Sequence, residues 1–139
     1  MPSCTKWYST DVRRVFQTRA FNRWMQKTGL PEDALCDAVS EMTRGLVDAD
    51  LGGGVIKKRI ALPGQGKRGG ARTIVATKIE GHWFFLYGFR KNERASIDRD
   101  ELKMLQEVAK ELHGLDDQQL ATALSAGEIM ELCHGNKPT

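Results

Sequence analysis

Ten lysines and arginines lie between Gly52 and Arg94 against two acids, Glu80 and Glu93, a local charge of about +8. The rest of the 139-residue chain carries none of this excess: seven basic residues balance seven acidic ones before Gly52, and four face nine after Arg94. Cations gathered in one place neutralise phosphates and release their counterions more efficiently than scattered ones. A solvated basic face is the plain alternative. In a strand, the period of two puts Lys57 and Arg59 on one face with Val55 and Ala61, and Lys58 on the other with Ile56, Ile60 and Leu62. Arg72 opens the next apolar run, Arg90, Lys91 and Arg94 leave the third, and Lys67 and Arg68 sit at the tip of the connection PGQGKRGGA. Lys57, Arg59 and Arg72 are the first candidates for holding a phosphate, provided the strands converge.

Other chemistries find less support. Gly52, Gly53 and Gly54 precede a strand and lack a following Gly-Lys-Ser/Thr, so they are read as the exit from a helix and not as a nucleotide-binding loop. Cys4, Cys36 and Cys133 are odd in number and far apart, which argues against a disulfide framework and for a reducing cytoplasm. The adjacent Cys133 and His134 have no second pair to complete a metal site. No metal and no cofactor is called for. No apolar run approaches the roughly 20 residues that cross a bilayer, and no signal-peptide apolar region opens the chain. A cytoplasmic protein without a membrane partner is the expectation, folded as one domain over residues 1–139.

These side chains need elements to position them. Asp11 to Thr18 suits a short strand tolerant of a sheet edge, and Thr18 caps a helix carrying Phe21, Trp24 and Met25 that stops at Gly29. Pro31 opens a second helix at its first position, with Leu35, Val39, Met42 and Leu46 as its apolar stripe. Val55 to Leu62, Arg72 to Ile79 and His82 to Arg90 form a three-strand meander turning at Glu80 and Gly81, the last with Trp83, Phe85, Tyr87 and Phe89 on one side. Asp98 and Glu101 read as a capping box for a helix with Leu102, Leu105, Val108, Ala109 and Leu112 buried, ending at Gly114. A helical extension follows from about residue 115, and Ile129, Met130 and Leu132 add a turn or a strand. The predicted fold is α+β: a small antiparallel-rich sheet, an N-terminal strand plus the meander, with helices packed on one face and the charges displayed on the other.

The run GGGVIKKRIALPGQGKRGGARTIVATK, followed by WFFLYGFRKNERASI, resembles the RelE/HigB-type toxins of bacterial toxin–antitoxin pairs. The similarity extends from about Phe21, through the DADLGGG, KKR, PGQGKRGGxRT and FLYGFxKNER motifs, to the helix near Leu112. It implies a RelE-like fold, cleavage of messenger RNA on the ribosome, translation arrest, and an antitoxin covering the basic surface. Related ParE-type toxins use a similar scaffold against DNA gyrase, so fold alone does not fix the activity. A non-enzymatic binder of RNA or the ribosome is the other alternative.

A metal-independent endoribonuclease must activate a 2′-hydroxyl, stabilise a pentacoordinate phosphorus and protonate the departing 5′-oxygen. Lys57, Arg59 and Arg72 match the family's basic strand residues and suit the middle task. Arg90, Lys91 and Arg94 form a second line, while Lys58, Lys67 and Arg68 join Arg90 and Arg94 as candidate RNA contacts. Proton transfer is less legible. Tyr87 competes with a core role in an aromatic strand, and Glu93 with an ion pair to Arg94 or Lys91; a cation of depressed pKa is a further option. His82, His113 and His134 lie outside the basic motifs, Trp24 falls on an apolar stripe, and Trp7 and Tyr8 are possible base-stacking residues.

Overall fold

A computed structural model describes residues 14–62, 64, 70–77, 81–94 and 96–133. Trp7, Tyr8, Lys67, Arg68, Glu80 and His134 lie outside these residues. Six strands, β1 (Val15–Thr18), β2 (Ala49–Gly52), β3 (Val55–Ile60), β4 (Ala71–Ala76), β5 (Trp83–Arg90) and β6 (Ile129–Leu132), form one sheet in the order β2-β3-β4-β5-β1-β6. Every pairing is antiparallel except β1 with β5. The α+β expectation holds, with an antiparallel-rich sheet and the meander β3-β4-β5 at its centre. β1 is not at an edge: it lies between β5 and β6, which suits its buried Val15 and Phe16.

The helices among the described residues are α1 (Arg19–Thr28), α2 (Glu32–Thr43), α3 (Arg99–His113) and α4 (Asp117–Ser125). Local chemistry sets their ends. The Thr18 hydroxyl accepts from the Phe21 N–H at 3.1 Å, and Gly29 closes α1 in the left-handed region at φ 78°. Pro31 is the N-cap residue of α2, one position earlier than expected, and Glu32 and Asp33 occupy the first turn at the positive end of the helix dipole. Asp98 and Glu101 form the expected capping box of α3. Asp116 and Gln119 form a second box at α4 that the sequence reading missed.

The glycine triplet is a hairpin, not a helix exit. The second helix ends at Thr43, which leaves Leu46 51% exposed instead of on a buried stripe. The chain then runs out as β2 and reverses through Gly53 and Gly54, whose φ angles of 64° and 80° match a two-residue turn that favours glycine at both centres. The Gln106 amide of α3 donates to the carbonyls of Leu51 and Gly52 at 3.2 and 3.1 Å and fixes this hairpin.

Helices cover both faces, where the sequence reading put them on one. Phe21, Met25, Leu35, Val39 and Met42 of α1 and α2 pack with Ile56, Val75 and Phe85, whereas Leu105, Ala109 and Leu120 of α3 and α4 pack with Val55, Ile74, Phe84 and Phe89. Central strands apolar on both sides require two such layers. A bulge in β5 decides which residues face which layer. Ile74 pairs with Tyr87 but Val75 pairs with Phe85, so Leu86 is the extra residue. Tyr87 and Phe89 are thereby turned to the α3 side, away from the face of Trp83 and Phe85 on which strict alternation placed them.

Gly88 is turned the other way, against Trp24, where an added Cβ would lie 2.5 Å from the indole ring. The Gly88→Ala variant is expected to lose about 1–3 kcal/mol. An unchanged urea midpoint would show that Trp24 yields without cost.

A further correction concerns the cysteines. Cys36 of α2 and Cys133, just past β6, form a disulfide with a Cα–Cα distance of 5.7 Å. The Cys133 N–H also donates to Glu32 Oε2 at 2.7 Å. No helix of the described residues is long and apolar enough to cross a membrane.

Candidate functional site

Antiparallel partners share a face, so register converts the sequence candidates into a patch. Arg59 pairs with Arg72, which pairs with Phe89; one step along, Lys57 pairs with Ile74, which pairs with Tyr87. These two rows lie side by side on the α3 side of the sheet, with strands about 4.8 Å apart. Lys57 is half-buried and Arg59 exposed. The Arg59 backbone N–H donates to Asp48 Oδ2 at 2.6 Å, and its Nε lies 3.4 Å from Asp48 Oδ1.

Arg72 is the unusual member. Its residue is 6% exposed, and its buried Nη1 finds no hydrogen-bond partner among the described residues. Burial lowers its pKa from the usual arginine value, the charge of Arg59 lowers it further, and Asp48 partly compensates. A buried guanidinium with an unspent donor beside a second arginine is a poor structural element and a good anion receptor.

The other row ends in a second device. Arg94 Nη1 donates to Tyr87 Oη at 3.1 Å and to Glu101 Oε2 at 2.9 Å, Nη2 donates to Glu101 Oε1, and Nε donates to the Ser96 carbonyl at 3.0 Å. The guanidinium carbon lies 5.7 Å from the centroid of the Phe89 ring. The hydrogen bond to Glu101 is the main cause raising the Arg94 pKa, and the same bond, helped by the Asp98 N–H, lowers that of Glu101.

The model of a family described as the RelE toxin of the RelE / RelB toxin–antitoxin system matches residues 13–132. The chain belongs to the RelE toxin family. It is the toxin of a toxin–antitoxin pair, and a cognate antitoxin is its partner. A comparison with curated proteins gave no match.

In this RelE toxin, Lys57, Arg59 and Arg72 share one face, and the bulge brings Tyr87 to it, where strict alternation had set Tyr87 beside Trp83 and Phe85. Lys58 does not join them. Its Nζ lies 2.7 Å from Glu41 Oε1 and donates to the Leu46 carbonyl at 2.9 Å, with the side chain 5% exposed, so it ties α2 to β3 on the face away from the patch. Register also sets Arg90 opposite Ala71, on the α1 and α2 side. Lys91 and Glu93 occupy the exposed turn after β5, where the Glu93 N–H donates to the Arg90 carbonyl at 3.0 Å. Arg94 pairs with Glu101 and not with Glu93. Asp48 and Glu101 were missed as site residues, the first hidden within the DADLGGG motif and the second read only as a helix cap.

Proposed function

We propose that this RelE toxin is a metal-independent endoribonuclease that cuts messenger RNA on the ribosome and arrests translation in the cytoplasm. The observation that carries this reading is the Nη1 of Arg72, without a hydrogen-bond partner among the described residues and buried beside Arg59 in one row, with Lys57 in the row next to it. The reaction needs a preformed receptor for charge that grows on phosphorus. A 2′-hydroxyl attacks the adjacent phosphate, the P–O5′ bond breaks, and negative charge builds on the non-bridging oxygens between. Lys57, Arg59 and Arg72 stabilise that charge. Tyr87 exchanges the proton of the reaction, its hydroxyl being held in the neighbouring row. Lys91 and Glu93, in the turn beyond β5, contact the RNA at the rim, and Lys67 and Arg68 grip its backbone.

Inducing the wild-type toxin and a Lys57/Arg59/Arg72 triple alanine variant, then mapping messenger RNA 5′ ends beside gyrase-linked DNA breaks, tests the reading. New RNA ends are expected with the wild type only, each lost donor removing about 2.7–4 kcal/mol of transition-state stabilisation. Arrest without new ends would sink the nuclease reading, DNA breaks would point to gyrase, and arrest with neither would point to simple binding. RNA affinity should also fall steeply with salt.

A further inference from the structure

We propose that Glu101 is a positioning residue of the cleavage reaction, acting through Arg94 on the Tyr87 hydroxyl; this rests on the endoribonuclease reading above. Glu101 does two things at once. As third residue of α3 it accepts the Asp98 N–H at 2.9 Å, while its own N–H donates to Asp98 Oδ1 at 2.8 Å. With both oxygens it also grips the Arg94 guanidinium. A capping box needs one acceptor at this position and no charge, because glutamine serves there as well. The two-oxygen grip is therefore additional to the cap, and it links the end of a helix to the face of the sheet.

The grip leaves Arg94 little freedom. The carboxylate, the Ser96 carbonyl, the Tyr87 oxygen and the face of Phe89 surround one planar group, and a planar fork transmits orientation where a lysine would not. Guanidinium groups only donate. Tyr87 Oη is thus an acceptor toward Arg94, and its own proton is directed elsewhere. In the reaction, the 2′-oxygen gives its proton to solvent water as it bonds to phosphorus; as the P–O5′ bond breaks, the leaving oxygen takes the Tyr87 proton, the phenolate keeps the electron pair beside Arg94, and solvent returns a proton to it. Arg94, assigned from its sequence to RNA contact, has four of its five N–H donors committed within the protein. It organises the tyrosine instead.

Three variants of the full chain test this on ribosome-bound messenger RNA, with thermal unfolding measured alongside. E101Q retains the acceptor for the Asp98 N–H and loses the charged two-oxygen grip; kcat is expected to fall about tenfold or more at unchanged KM, because correctly held proton transfer contributes at least that much. R94K is expected to do the same, with an unaltered salt dependence of binding. D98A weakens the cap without touching Arg94, and should lower Tm while leaving kcat within about twofold. A raised KM and a flatter salt dependence in R94K would make Arg94 an RNA contact and overturn the proposal. Loss of activity that tracks Tm across all three variants would reduce Glu101 to a helix cap, also overturning it. Wild-type toxin that makes no cut would instead overturn the endoribonuclease reading and this role with it.

Discussion

Replacing Arg72 with methionine is expected to disable the toxin and stabilise it. The residue is 6% exposed, its Nη1 lacks a hydrogen bond among the described residues, and the charge that acts on it most is the like charge of Arg59. An unsatisfied buried donor costs about 1–3 kcal/mol, more when charged. Methionine has similar length and bends into irregular spaces. Exchange of buried charge for apolar volume is neutral to stabilising in comparable sites, so a gain of about 1–2 kcal/mol is expected, or roughly 3–8 °C in Tm. Cleavage should fall about 10²- to 10³-fold, the loss expected for one preorganised donor. The sign with pH is definite. Folding lowers the Arg72 pKa below its ordinary value, so the folded state disfavours its charged form. The penalty is fully present at neutral pH and eases as pH rises through the lowered folded value. Inorganic phosphate should raise the Tm of the wild type and leave that of R72M unchanged. A variant that is both less stable and inactive would make Arg72 a structural residue and remove the central support for the proposed function.

That opposition between stability and function was half legible in the sequence. Thr18, Gly29, Asp98 and the shared face of Lys57 and Arg59 were readable because caps and strand alternation are local: each is decided by residues within a few positions. The bulge at Leu86 is not local. It arises where β5 meets β4, and it moves Tyr87 to the face of Lys57, where a strict period of two had paired it with Trp83 and Phe85. Lys58 looked like Lys57 and Arg59 because its partner, Glu41, lies in another element. Glu101 announced itself as a cap through its spacing from Asp98, and that correct reading concealed its second partner.

Cys36 and Cys133 were misread for the same reason, and the second large effect is expected from their removal. Their pairing spans 97 positions, and a cross-link closing about 100 residues removes up to about 4.7 kcal/mol of chain entropy from the unfolded state. The C36S/C133S variant, or wild type under a thiol reductant, is expected to lose about 3–5 kcal/mol in urea unfolding. Identical midpoints with and without reductant would dismiss the bond as a contributor. The loss should also be uneven. Among the described residues β6 is an edge strand of four residues paired only with β1, held on one side by the disulfide and on the other by Glu131, whose oxygens accept from Arg14 at 2.8 and 2.7 Å. Reduction should therefore speed amide exchange at Ile129–Leu132 first, while β3, β4 and β5, which carry the cationic rows, keep their protection. A ribosome-directed toxin would work in a thiol-reducing compartment. Its active form would then be the one whose edge strand opens most easily and whose cleavage face does not.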